Sequence, residues 1–247
     1  MAGAGGFKNA WEIGLLWLSQ GSFLGEQCLF SESLFSMRRR SVGVLSKDEL
    51  FAARIARLER EDPERVIRTL EPFVSEPRRK RILDMLERRL GSVVVAFESP
   101  HDPHNGAAVM RSCEAFGVQT LHVIEQIEPF LAASSVSRSA EKWVDVVPHP
   151  TVVEAVATLR AGGYTLVAAD ADGTLEPHDL AEIPRLAIIL GNERDGIGEE
   201  LRSACDKAVR VPMRGFVESL NVSVTAAILL AAATRGRAGD LPEAERR

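Results

Sequence analysis

The sequence predicts an α/β domain, a mostly parallel sheet with helices on both faces, preceded by a helical N-terminal region. Three observations predict it. From Ser92 onward, short β-branched apolar runs alternate with stretches of helical spacing, the pattern of strands covered by helices. One apolar run, Leu186 to Leu190, stops at Gly191 and delivers Asn192, Glu193 and Arg194 onto a loop. Another ends at Val211-Pro212-Met213, crosses a polar loop and enters a helix through Ser219-Leu220-Asn221-Val222-Ser223. Loops that follow the strands of such a sheet are where α/β proteins hold ligands, so two polar tips in one domain predict one bipartite site.

Taken in chain order, residues 1–45 are rich in glycine and serine, carry aromatic residues at no clear period, and support no assignment. Met37 is followed by a basic run, which leaves residues 1–36 open as an upstream extension. Ser46 and Glu49 have capping-box spacing and open a helix to about Arg60. Pro63 to Phe73 reads as a second helix. Glu76 to Leu90 reads as an amphipathic third, with Ile82, Met85, Leu86 and Leu90 on one stripe. Strands follow at Ser92–Phe97, Thr120–Ile124, Tyr164–Ala169, Leu186–Leu190 and Ala208–Val211. Between and after them come helices at 106–116, 151–161, 198–205 and 219–234. The division is thus 46–91 helical and basic, 92–236 the α/β domain, and 237–247 a short tail.

Composition bounds the function. Hydrophobic residues at 45% and charged residues at 26% are ordinary for a globular chain of 247 residues, enough to bury a sizeable core. The net charge of -5 argues against a nucleic-acid partner unless basic residues cluster. They do: Arg38-Arg39-Arg40, Arg78-Arg79-Lys80-Arg81 and Arg88-Arg89 all precede the first clear strand. The second and third groups sit on the predicted amphipathic helix, as a solvated face or as a phosphate-tracking one. Cys28, Cys113 and Cys205 share no zinc-like or CxxC spacing, which suits a reducing compartment, and the apolar stretch Val222–Ala233 is too short to span a bilayer. A cytoplasmic protein is expected.

The loop tips exclude two nucleotide folds. Gly191 to Gly196 has the glycine spacing of a P-loop, but Ile197-Gly198 stand where Lys and Ser or Thr belong. No GxGxxG follows a strand. His101 and His104 could pair on a metal, yet no third ligand has sensible spacing. Asn105 stands where it can cap the helix that follows, and Ser219 where it can cap the last one. Ala107 and Ala108 flank Arg111 with small side chains, leaving its guanidinium room to meet a phosphate in two-pronged fashion. A surface Arg111 paired with Glu114 or Glu141 is equally open to the sequence alone.

The run Pro103-His104-Asn105-Gly106-Ala107-Ala108-Val109-Met110-Arg111-Ser112-Cys113-Glu114-Ala115-Phe116-Gly117-Val118, the GNERDGIG loop and VPMRGFVESLNVSV resemble the three ordered motifs of the SpoU/TrmH family. These are RNA 2′-O-ribose methyltransferases with a C-terminal trefoil knot. The PHN opening and Glu141 to Val144 look most like the TrmH branch, which modifies guanosine 18 of tRNA. The resemblance implies S-adenosylmethionine as cofactor, RNA as partner, an obligate homodimer with the site at the subunit interface, and no metal, because a sulfonium methyl is already activated. It assigns catalysis to Arg111, Asn105, Glu193, Ser219 and Asn221. Cofactor contacts fall at Ala169, Gly191, Val211, Met213 and Leu220. The family often has threonine where Ala169 stands. The basic C-terminal extension usual in the TrmH branch is not seen before Arg247, so either Arg78, Arg79, Lys80, Arg81 and Arg88 carry more of the RNA contact or the substrate differs. A ribosomal RNA 2′-O-methyltransferase of the same family and a non-catalytic RNA-binding trefoil protein are the competing readings.

Overall fold

A computed structural model describes residues 62–124, 140–217 and 219–246; the predicted helix from Ser46 lies outside them. The chain divides into two compact units, one ending at Ile82 and one from Leu83 to Arg246. In the first, Asp62 caps helix α1 (Pro63–Leu70) by accepting from the Arg65 amide at 3.0 Å. A proline at the start of that helix costs no hydrogen bond. A 3-10 turn, Glu71–Phe73, separates it from α2 (Glu76–Leu86), so the single helix expected over 63–73 is two pieces. Neither helix has a buried residue.

The third predicted helix also ends early. It stops at Leu86, because Leu90 is drawn into extended pairing with Val118. Leu90 belongs to the sheet instead of the helical stripe.

The second unit is built on a six-stranded sheet. Its strands are β1 (Val93–Glu98), β2 (Thr120–Ile124), β3 (Asp145–His149), β4 (Thr165–Ala169), β5 (Leu186–Leu190) and β6 (Lys207–Val209). They lie in the order β3-β2-β1-β5-β4-β6, every neighbouring pair parallel. The helices are α3 (Pro103–Ala115), α4 (Val152–Ala161), α5 (Glu199–Ser203) and α6 (Val222–Ala233). Side chains alternate along β1. Val93, Val95 and Phe97 face a core shared with α3 and α6, while Val94 and Ala96 face one shared with α4 and α5. The predicted α/β class with helices on both faces is what the chain adopts.

Strand β3 was not expected from the sequence. It holds Pro148 and opens on a charged residue, which argue against a strand, yet at a sheet edge proline sacrifices no ladder bond. The last segment is more than a tail. Asp240 accepts from the Gly91 and Ser92 amides at 2.7 and 3.2 Å, and Arg237 donates to the carbonyls of Leu180 and Pro184 at 3.1 and 2.9 Å. Leu241 is buried beside them, so residues 237–241 strap the start of β1.

Because all strands run one way, their C-terminal ends share one edge of the sheet. Strand order runs outward from β1 to β3, then returns through β4 to place β5 against β1. The reversal puts the exits of β1 and β5 side by side, and such a switch point leaves a crevice for a ligand.

Candidate active site

Three segments meet at that crevice: the β1–α3 turn, the β5 exit loop and the start of α6. Asp102, not Asn105, caps α3, accepting from the His104 amide at 2.8 Å. The Asn105 side chain is thereby left for tertiary contacts. Its Nδ2 donates to Glu193 Oε1 at 2.8 Å, and its Oδ1 accepts from Asn221 Nδ2 at 3.1 Å. Glu193 Oε2 also accepts from the His101 amide at 3.2 Å. Asn221, not Ser219, caps α6; its Oδ1 accepts from the amide and hydroxyl of Ser223 at 2.8 and 2.6 Å. A capping carbonyl oxygen and a free amide on one side chain let Asn221 start the helix and reach Asn105 together. The expected cap at Ser219 fails because α6 begins three residues later; Ser219 is exposed.

Thus Asn105, Glu193 and Asn221 are joined by direct hydrogen bonds, although they lie up to 116 residues apart. Arg111 is on the same helix as Asn105 but on another face. It lines a groove of about 580 Å³ between α3 and α6, with Ala108, Phe116, Ser223, Val224 and Ile228 among the walls. Glu114 does not pair with it, being 3.8 Å from Arg89 instead. Among the described residues the Arg111 guanidinium has no hydrogen bond or ion pair. An exposed arginine held beside alanines and left unpaired is free to meet an anion. Ser223, whose hydroxyl holds Asn221 from the wall of the Arg111 groove, and His101 were not predicted as site residues; the LNVSV run contained the first, and only the fold could reveal the second.

The β5 exit loop is closed on itself. Asn192 and Gly196 exchange backbone hydrogen bonds of 3.0 and 3.2 Å, and Asn192 Oδ1 accepts from the Arg194 and Asp195 amides. A Cβ on Gly191 would fall 2.0 Å from the Gly196 carbonyl carbon, so this loop can close only with glycine there. Glu193 is held at the loop tip, pointed at α3. Ser99, just after β1, has φ of +43, the left-handed region that costs a residue with a Cβ energy and gathers at functional sites.

The other predicted positions lie on the neighbouring exits of β4 and β6. Ala169 ends β4, and Val211, Met213 and Leu220 follow β6, all four half-buried. Among the described residues the backbone groups of Val211, Met213 and Leu220 form no hydrogen bond within the protein. Half-buried amides and carbonyls without partners are available to a bound molecule. The basic group on and just after α2 is only partly free: Arg79 pairs with Glu71 at 2.6 Å and Glu76 at 3.7 Å, while Lys80, Arg81 and, beyond the helix, Arg88 are exposed. No helix among the described residues is long and apolar enough to cross a membrane.

The sequence profile of the SpoU rRNA Methylase family matches residues 92–231, from the first strand through the last helix. The chain belongs to the SpoU rRNA Methylase family. The tRNA (guanosine(18)-2′-O)-methyltransferase of Thermus thermophilus is 35% identical over 164 residues, covering 66% of this chain and 84% of that protein. The TrmH/SpoU tRNA modifying enzyme of A. aeolicus superposes with a TM-score of 0.63 at 27% identity, over 69% of this chain and 91% of its own. The SpoU methyltransferase AviRb of Streptomyces viridochromogenes, solved with the cofactor AdoMet, gives a TM-score of 0.53 at 29% identity, over 62% and 63%. All three motifs of this SpoU member lie inside the matched region.

Proposed function

We propose that this chain transfers a methyl group from S-adenosylmethionine to the ribose 2′-hydroxyl of guanosine 18 in the D-loop of tRNA. The observation that carries this reading is the hydrogen-bonded string Glu193–Asn105–Asn221, which gathers the three family motifs at one sheet edge. The names of the relatives supply the nucleotide, and AviRb supplies the cofactor class.

Ala169, Gly191, Val211, Met213 and Leu220 would hold the cofactor, chiefly through main chain, and the unpartnered backbone after β6 fits that role. The bound cofactor would offer a sulfonium methyl whose carbon–sulfur bond breaks as the ribose oxygen bonds to the carbon. The 2′-hydroxyl is a weak nucleophile until its proton is partly removed. A guanidinium does not lose its proton, so Arg111 works through charge: it fixes the adjacent phosphate, which takes the hydroxyl proton, and steadies the developing oxyanion. Asn105, restrained on both sides, orients the ribose. Glu193, Asn221 and Ser219 shape the pocket around it.

In this reading the C-terminal crossover is threaded as a trefoil knot and two subunits meet over the α3–α6 groove. Arg78, Arg79, Lys80, Arg81 and Arg88 of the 46–91 region grip tRNA in the cytoplasm, and residues 92–236 carry the chemistry. The test is methyl transfer from labelled S-adenosylmethionine to tRNA transcripts with guanosine 18 present or replaced, followed by mapping of 2′-O-methyl groups. Label at that ribose alone is expected. Label on ribosomal RNA and on no tRNA would move the substrate; cofactor binding without transfer to any RNA would favour a non-catalytic trefoil protein.

A further inference from the structure

We propose that Glu98, buried at the end of β1, is a positioning residue for methyl transfer: its carboxylate sets the loop that carries Glu193. The inference rests on the methyl-transfer function proposed for this chain, in which Glu193 and Asn105 act on the ribose.

Glu98 is 5% exposed, and its Oε2 accepts from the Gly198 amide at 2.7 Å across 100 residues of sequence. Gly198 sits at the N-cap of α5, and its own amide finds its acceptor on β1. Immediately after Glu98, the left-handed Ser99 turns the chain so that the His101 amide meets Glu193. The contacts are reciprocal. The β1 exit sends the Glu98 carboxylate to the far end of the β5 exit loop, and the tip of that loop sends the Glu193 carboxylate back to His101 and Asn105.

The mechanics follow from the stiffness of the loop. Asn192 to Gly196 is closed by its own hydrogen bonds and moves as one piece. One end is fixed where Gly191 leaves the buried strand β5, the other where Gly198 meets Glu98. Releasing the second end lets the piece tilt about the first, and the displacement is felt at Glu193 and then at Asn105. Bonds to a charged acceptor are stronger than neutral ones, and a misplacement of about 1 Å can cost on the order of 100-fold in rate. Glu98 itself touches neither ribose nor cofactor in this scheme.

The experiment compares Glu98→Ala and Glu98→Gln in the full chain, measuring kcat and KM for tRNA, cofactor affinity and thermal midpoint. Glu98→Ala should lower kcat roughly 10- to 100-fold. Its KM should stay within about threefold, because RNA contacts are elsewhere. Glu98→Gln keeps an oxygen that can accept from Gly198, and should recover most of the loss. In a Glu193→Ala background, Glu98→Ala should cost little more, since the piece it steers has lost its active group. If Glu98→Ala is too unstable to assay, Glu98→Asp withdraws the carboxylate by one methylene and should lose kcat as well. Unchanged kcat per folded molecule in the Ala or Asp variant, no rescue by Gln, or additive losses with Glu193→Ala would each overturn the inference while leaving methyl transfer standing. A wild-type protein that methylates no RNA would overturn the methyl-transfer reading and this inference with it.

Discussion

In the proposed mechanism Arg111 acts through shape as much as charge. The side chain is exposed on α3 and makes no ion pair among the described residues, so none of them competes with a phosphate for it. Arg111→Lys keeps the charge and removes the planar fork. Turnover should fall by about 100-fold or more, while cofactor affinity measured by calorimetry stays unchanged, because the cofactor positions lie on other strand exits. Loss of both together would sink the assigned role. His122 and His149 are stacked and bonded ring to ring at 2.8 Å between β2 and β3. Burial, then the neighbouring imidazole, pushes His122 down to about 4, and burial also lowers His149. A histidine held neutral in the fold and protonated more readily when unfolded stabilises fully above its free value near 6.5. That stability drains as pH falls toward 4, by about 2 kcal/mol between pH 7 and pH 5. His122→Leu should flatten the slope of urea stability against pH over that range; an unaltered slope would assign the acid sensitivity elsewhere.

At the scale of elements, α2 invites the next prediction. Arg79 is tied to Glu71 and Glu76, so the freer cations at Lys80, Arg81 and Arg88 carry more of any phosphate binding than Arg79 does. Charge reversal at Lys80, Arg81 and Arg88 should weaken tRNA binding and reduce the salt slope of log K by about 0.9 for each phosphate that is no longer neutralised. An unaltered slope in filter binding would make α2 a solvated face only. The same helix shows what periodicity can and cannot say. Leu90 fits the apolar stripe because both a helix and the strand that replaces it bury that residue; pairing with Val118 decides between them, and that is long-range information. Strand β3 was hidden by Pro148, whose cost vanishes only at an edge. In the site, Asn105, Glu193 and Asn221 could be picked out through the resemblance of the PHN run, the GNERDGIG loop and the LNVSV run to the family's motifs, not through spacing or composition. Their mutual bonds could not, and neither could Glu98, which in sequence is an acid at the end of an apolar strand. Both caps were misassigned for one reason: Asp102 and Asn221 stand within three residues of the expected Asn105 and Ser219, and only geometry says which side chain folds back onto the helix.

At the scale of the whole molecule, α6 is apolar on more sides than one subunit can bury. Ala226, Leu229, Leu230 and Ala233 face the sheet, whereas Val224 is 46% exposed and lines the α3–α6 groove with Ile228 and Ala231. A helix apolar nearly all round calls for a second partner surface, and in the proposed homodimer a second copy of this chain would supply one of the same shape with Arg111 at its edge. Val224→Asp with Ile228→Arg places charge in that groove without touching the residues packed on the sheet, so the subunit should still fold. Light scattering should then give the 27.0 kDa of a single chain instead of twice that mass, and turnover should collapse with it. A complementation assay separates a shared site from mere assembly. Arg111→Ala and Glu193→Ala proteins, each with only residual turnover alone, are mixed under conditions that exchange subunits. If Arg111 of one copy serves the pocket of the other, mixed dimers put both defects into one pocket and leave the second intact, so turnover reappears. If each subunit supplies its own Arg111, every pocket in the mixture keeps one defect and turnover stays at the residual level, which would confine the site to a single chain.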